Sequence, residues 1–152
     1  MTCLLGGVQF FRRGFRLGKK ALEPLGPSST VRRAAIDPAH WGAAFENQGL
    51  AGVYLYTRQC LHTASSFHVR VFAPALGVPE DPATGSAAVC FAGAIHHFDG
   101  LTDGMHRRSL EQGFEMGRPS AISLTLSMGG GKLTNVRIGG QAVRMAEGTL
   151  EF

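Results

Sequence analysis

Cysteine is too scarce in this chain to frame a fold. Cys3, Cys60 and Cys90 are odd in number and lack metal-ligand spacing. That argues against a disulfide scaffold and a zinc site, and points to a reduced, cytoplasmic protein. Long apolar runs are missing too, since no stretch reaches the length needed to span a bilayer. The first residues lack the apolar core and small-residue cleavage site of a secretory leader. Charge is sparse, at 17% of residues. Of the 15 basic and 11 acidic residues, five basic ones (Arg12, Arg13, Arg16, Lys19 and Lys20) and one acid (Glu23) fall in the first 30 positions. The rest cancel. A nucleic-acid role would therefore rest on one short basic run without aromatic platforms, and neither a nucleic-acid nor a membrane partner is expected.

What is abundant is glycine, with 21 in 152 residues, which suggests tight turns and short strands. The length suits one domain with a sizeable core. Residues 1–40 read as an atypical basic leader, poorly ordered as termini often are, and 41–152 as a single domain. Val31 to Phe45 holds a short helix, with Asp37 as its cap and Pro38 in its first turn. Gly52–Thr57 and Phe67–Phe72 read as strands; in the second, Phe67, Val69 and Val71 alternate with His68, Arg70 and Phe72. Ser86–Phe98 is apolar almost all round, which predicts a helix enclosed by other elements, with Gly93 explained by close packing. Beyond a polar turn at Asp99–Arg107, Arg108–Gln112 and Ala121–Met128 read as strands. Gly129–Lys132 forms a hairpin turn and Leu133–Ile138 its second strand. Gly139-Gly140 turns again into a last strand, Gln141–Ala146. Cys90 is a small core residue.

The chemistry concentrates between Phe72 and Ala88. Glu80, Asp81, Pro82, Ala83, Thr84, Gly85 and Ser86 stand directly before the helix. Unpaired N–H groups of its first turn and the helix dipole favour an anionic ligand beside a carboxylate. Gly85 permits close backbone approach, and Ser86 offers a hydroxyl to cap the helix or touch the ligand. Asp81 is either an acid/base group or a plain helix cap; Glu80 is expected to face solvent. Arg70 and Arg118 could each pair with a carboxylate or be structural. His68 is expected to face the cleft. His96 and His97 lie about three helical turns from Ser86, roughly 15 Å, too far to share its chemistry.

The landmarks Val69–Pro74, Glu80–Ala87, Glu111–Ser120, Val136–Val143 and Glu147-Gly148 together resemble the C-terminal half of the PhzF-like isomerases of phenazine biosynthesis. The resemblance is strong from Val53 to Glu147 and weak before His40. It implies an α+β, diaminopimelate epimerase-like half, in which a bent, mostly antiparallel sheet wraps a central helix. It implies cofactor-independent proton abstraction and return on a small carboxylate-bearing substrate of the dihydro-hydroxyanthranilate kind, with no metal. Asp81 and Ser86 would be the catalytic pair. Thr84, Gly85, Gln112, Gly113, Arg70 and Arg118 would line the substrate. Related epimerases use paired cysteines, one in the counterpart of this loop; Asp81 and Pro82 stand here instead. The family's site lies between two similar domains, and its chief base is a glutamate of the first. Neither Glu23 nor Glu46 stands in a matching segment. The chain is thus expected to be a truncated half, either an isomerase domain incomplete alone or a ligand-binding remnant, with pairing of two copies as a homodimer left open.

Overall fold

Strand β4 (Phe67–Ala73) shows how the layers are organised. Its side chains alternate as expected, yet every one from Phe67 to Phe72 is buried. Phe67, Val69 and Val71 enter one core with the central helix. Phe72 enters a second core, with Val31, Trp41, Val53 and Leu55. His68 and Arg70 share that second face, because alternate residues of a strand point the same way. The polar half of the alternation therefore faces a second layer and not water.

A computed structural model describes residues 2–5, 8–12, 28–45 and 50–151. The strands are β1 (Thr2–Leu5), β2 (Val8–Arg12), β3 (Leu50–Thr57), β4, β5 (Val78–Asp81), β6 (Gly104–Gln112), β7 (Ser120–Gly129) and β8 (Lys132–Gly140). The helices are α1 (Ser28–Arg33), α2 (Pro38–Ala44) and α3 (Gly85–Phe98). The sheet runs β1-β2-β3-β4-β6-β7-β8, with β5 paired to β4 off that path. All pairings are antiparallel except β4 with β6. This is the α+β arrangement expected, a mostly antiparallel sheet curved around α3. No helix among the described residues is long and apolar enough to cross a membrane.

The second layer is α1 and α2. Asp37 caps α2 by accepting from the Ala39 N–H at 3.0 Å, and Pro38 opens the helix, where its missing N–H costs nothing. Helix α3 packs its other side of the sheet through Phe91, whose ring lies 5.0 Å from Tyr54, 4.6 Å from Tyr56 and 5.0 Å from Phe67. Its enclosure is incomplete. Ser86, Val89 and His97 are exposed, and Cys90, Gly93 and His96 only half-buried. Gly93 is not explained by close packing, because a Cβ there would meet nothing within 4 Å.

Two boundaries differ from the sequence reading. Strand β6 begins at Gly104, inside the expected polar turn, because β7 is long enough to pair with it from Met128 back to Ser120. At the other end, Gly139 and Gly140 pair with Ser123 and Ile122 inside β8 and make no turn. Without that reversal the following chain cannot fold back on β8, and residues 141–151 form no strand. The Gly129–Lys132 hairpin turn is present; Asp103 accepts from the N–H groups of Gly130 and Gly131 at 2.8 and 2.9 Å. Those two bonds hold the exposed Asp103 carboxyl below its ordinary range.

Candidate active site

Two strands meet end to end on one edge of β4, and the candidate site sits at their junction. Strand β6 pairs with the first half of β4, ending at Val69 opposite Gln112. Strand β5 takes up the same edge at Val71 opposite Asp81. The last residues of β5 and β6 therefore arrive together, and the loop from Asp81 to Thr84 crosses between them into α3.

Gln112 holds that loop. Its fully buried side chain donates from Nε2 to the Asp81 carbonyl (2.6 Å) and to Thr84 Oγ1 (3.0 Å). Its Oε1 accepts from the Thr84 N–H at 3.3 Å. Gly113 follows in a left-handed conformation, φ +79°. A Cβ there would lie 2.3 Å from the Arg118 carbonyl oxygen and 2.9 Å from that of Pro82. Only glycine lets the turn from Gly113 to Arg118 seat itself against the loop.

Asp81 does not cap α3. One carboxylate oxygen accepts from the Ala83 N–H at 3.1 Å, a local turn over Pro82, and the group is half-buried. Thr84 occupies the cap position but makes no side-chain cap bond. The first-turn N–H groups of α3 are left for solvent or a ligand. Ser86 is exposed beside them. Gly85 packs against β8, where a Cβ would come within 2.8 Å of the tip of Ile138. Asp81, Thr84, Gly85, Ser86, Gln112 and Gly113 thus form one cluster.

The two arginines fall elsewhere. Arg70 is buried and its guanidinium is engaged within the protein. Nε and Nη2 grip Glu80 at 2.8 and 2.9 Å, and Nη1 donates to the carbonyls of Val31, Arg32 and Ala34 at 3.0, 3.0 and 2.7 Å. It fastens the C-terminal end of α1 to β5, with all three guanidinium nitrogens bonded inside the protein. Glu80, expected in solvent, is the other half of this clamp and mostly covered. Arg118 is exposed, and its backbone N–H closes the turn onto Gly113 at 2.9 Å.

His68 does not face the cleft. It lies on the opposite side of the sheet from α3, with Nδ1 2.9 Å from Glu111 and Nε2 3.1 Å from Glu115. Burial alone would push the Glu111 carboxyl up. The N–H groups of Leu61 and His62, with the His68 ring and Ser65, outweigh it and leave the carboxyl below its ordinary value. Glu111 and Glu115 were missed as functional positions. The available signal was an acid inside a strand directly opposite a histidine, which only the β4–β6 register reveals. Cys60, near Glu111, has its thiol pushed up to about 11 by burial and by that carboxylate.

Comparison with known proteins decides the lineage. The family model for phenazine biosynthesis-like proteins, PhzC-PhzF, matches residues 19–148. The chain belongs to the PhzC-PhzF family. An uncharacterized isomerase of Mesorhizobium japonicum is 45% identical over 130 residues, 84% of this chain and 43% of that protein. One from Deinococcus radiodurans is 32% identical over 102 residues, 66% of this chain and 32% of that protein. The trans-2,3-dihydro-3-hydroxyanthranilate isomerase of Pseudomonas chlororaphis is 38% identical over 81 residues, 53% of this chain and 29% of that protein. The chain spans less than half the length of these curated relatives. The PhzC-PhzF match starts well before His40, where the motifs fade. Structurally this is reasonable, since α1 and α2 supply Val31 and Trp41 to the second core and carbonyls to Arg70.

Proposed function

We propose that this PhzC-PhzF domain forms the carboxylate-binding wall of an isomerase cleft. The observation that carries this reading is an uncapped α3 N-terminus beside an Asp81 carboxylate, both fixed by Gln112. The substrate is a small carboxylate of the dihydro-hydroxyanthranilate kind. First-turn N–H groups at Gly85 and Ser86, with the Ser86 hydroxyl, bind its carboxylate. Thr84, half-buried, keeps its hydroxyl on Gln112 and shapes the floor. Asp81 accepts from the substrate's amino group or relays a proton, removed from one carbon and returned to another, and no cofactor takes part. Arg70, Gln112 and Gly113 brace the wall, and Arg118 offers a charge at its rim.

A second reading is favoured by the length comparison: a ligand-binding domain that turns over only with a second half. Solvent deuterium incorporation into trans-2,3-dihydro-3-hydroxyanthranilate separates the two. Incorporation by the 152-residue chain, falling by about a hundredfold or more in Asp81→Asn, supports an isomerase acting alone. Incorporation only after joining a family N-terminal half supports the second reading. If the substrate moves no amide resonance at Gly85 or Ser86, the binding wall itself is refuted.

A further inference from the structure

The cluster around His68 contains more hydrogen bonds than a neutral histidine can make. His68 has no exposed surface, the Glu111 side chain is 2% exposed and that of Glu115 13%. An ionised carboxylate only accepts, so each of the two ring contacts needs its own proton, and a neutral imidazole carries one N–H. The second proton lies on the ring or on one of the glutamates. Glu111 already accepts from the Leu61 and His62 N–H groups, which favour its ionised form. Glu115 has Arg32 Nε 3.6 Å from one oxygen and Arg70 Nε 3.8 Å from the other. Both Glu115 oxygens thus face guanidinium N–H groups, which donate and cannot accept a proton from an acid. Both protons therefore belong to His68.

The groups facing the ring come from every side. Glu111 lies on β6, Glu115 on the turn after it, Arg70 on β4 itself, and Arg32 on α1. Glu80 of β5 neutralises Arg70. His62, in the loop after β3, lies tilted against Phe114 with ring centroids 5.3 Å apart. Only an imidazolium gives the two buried carboxylates a cation with a proton for each.

Glu115 stands within the Gly113–Arg118 turn, and that turn is what Pro82 rests on. We propose that His68 is a positioning residue: as an imidazolium bridging Glu111 and Glu115, it anchors the Gly113–Arg118 turn and through it sets the Asp81–Ser86 loop. The inference deepens the proposed function by naming what holds its loop, and rests on that reading only for the consequence on substrate binding.

The test is nuclear magnetic resonance on the whole chain with isotope-labelled histidine ring nitrogens at neutral pH. Both His68 nitrogens should show protonated-type resonances. In Glu115→Gln, whose amide N–H can donate to a bare Nε2, that nitrogen should become unprotonated while Nδ1 keeps its proton toward Glu111. Amide hydrogen exchange at Thr84 and Arg118 should then accelerate about tenfold while the strand amides of β7 stay protected. His68→Gln should loosen the same two amides, and if it fails to fold Glu115→Gln alone carries the test. One unprotonated His68 nitrogen in the wild type overturns the inference, as does unchanged exchange at Thr84 in Glu115→Gln. A separate titration with trans-2,3-dihydro-3-hydroxyanthranilate follows the Ser86 amide. Silence there, with the ring and exchange results as expected, refutes the binding wall and leaves the positioning role standing.

Discussion

Gln112 makes three hydrogen bonds to two residues of the loop that carries Asp81, from a side chain that is fully buried. Gln112→Leu has a similar size but leaves the Asp81 carbonyl and Thr84 N–H unpaired, at about 1–3 kcal/mol for each buried group. Urea unfolding should show a loss in that range, and substrate shifts at Ser86 should vanish with it. Asp81→Asn removes only charge from a half-buried group whose one partner is a local N–H, so stability should stay within about 0.5 kcal/mol while deuterium incorporation collapses. Matched losses of stability in the two variants would mean Asp81 is structural. Asp81, Gly85 and Ser86 were legible in the sequence because they form one contiguous string whose local conformation is nearly self-determined. Glu80 and His68 were not. Their roles depend on Arg70, Glu111 and Glu115, partners brought up by strand pairing across 10 to 47 positions.

At the level of the element, β7 followed its two-residue period because one face is buried and the other is largely wet, whereas β8 has no buried face and its half-buried Leu133 and Val136 stand three apart beside a register shift. Strand β4 misled for the opposite reason: a period-two pattern cannot tell water from a second layer of protein that offers ion-pair partners. Helix α3 misled in reverse. Its apolar composition suggested full enclosure, yet Val89 and its neighbours line an uncovered stripe. Two substitutions separate the faces of α3. Phe91, 1% exposed and packed on three aromatic rings, should cost about 3–5 kcal/mol as alanine, through lost burial and the cavity left behind. Gly93→Ala should raise stability by about 0.5–1 kcal/mol, since the added methyl meets nothing and the unfolded chain loses freedom. Thermal melts check both. Destabilisation by Gly93→Ala would show that something covers the stripe.

Across the whole molecule the two cores are joined through β3 and β4, and among the described residues Arg70 and Glu111 are the buried Arg and Glu beside them. Arg70 ties β4 to α1 and β5, and Glu111 ties the loop after β3, strand β4 and strand β6 through Leu61, His62 and His68. Because its folded carboxyl titrates below the ordinary value, the unfolded chain binds the proton first as pH falls. The stability this group contributes is complete above the unfolded value of about 4.3 and drains away as pH drops through the lower folded value. In the same interval other carboxylates lose charge, and a chain already at +4 becomes more positive and repels itself. Urea midpoints measured from neutral pH downward should therefore hold level and then fall steeply below about pH 4. Glu111→Gln should be weaker at neutral pH, because its amide nitrogen cannot accept from a backbone N–H, and its midpoint should decline less over the acid range. A variant whose acid decline parallels that of the wild type would place the acid sensitivity elsewhere, and would remove Glu111 as the joint between the loop after β3 and strands β4 and β6.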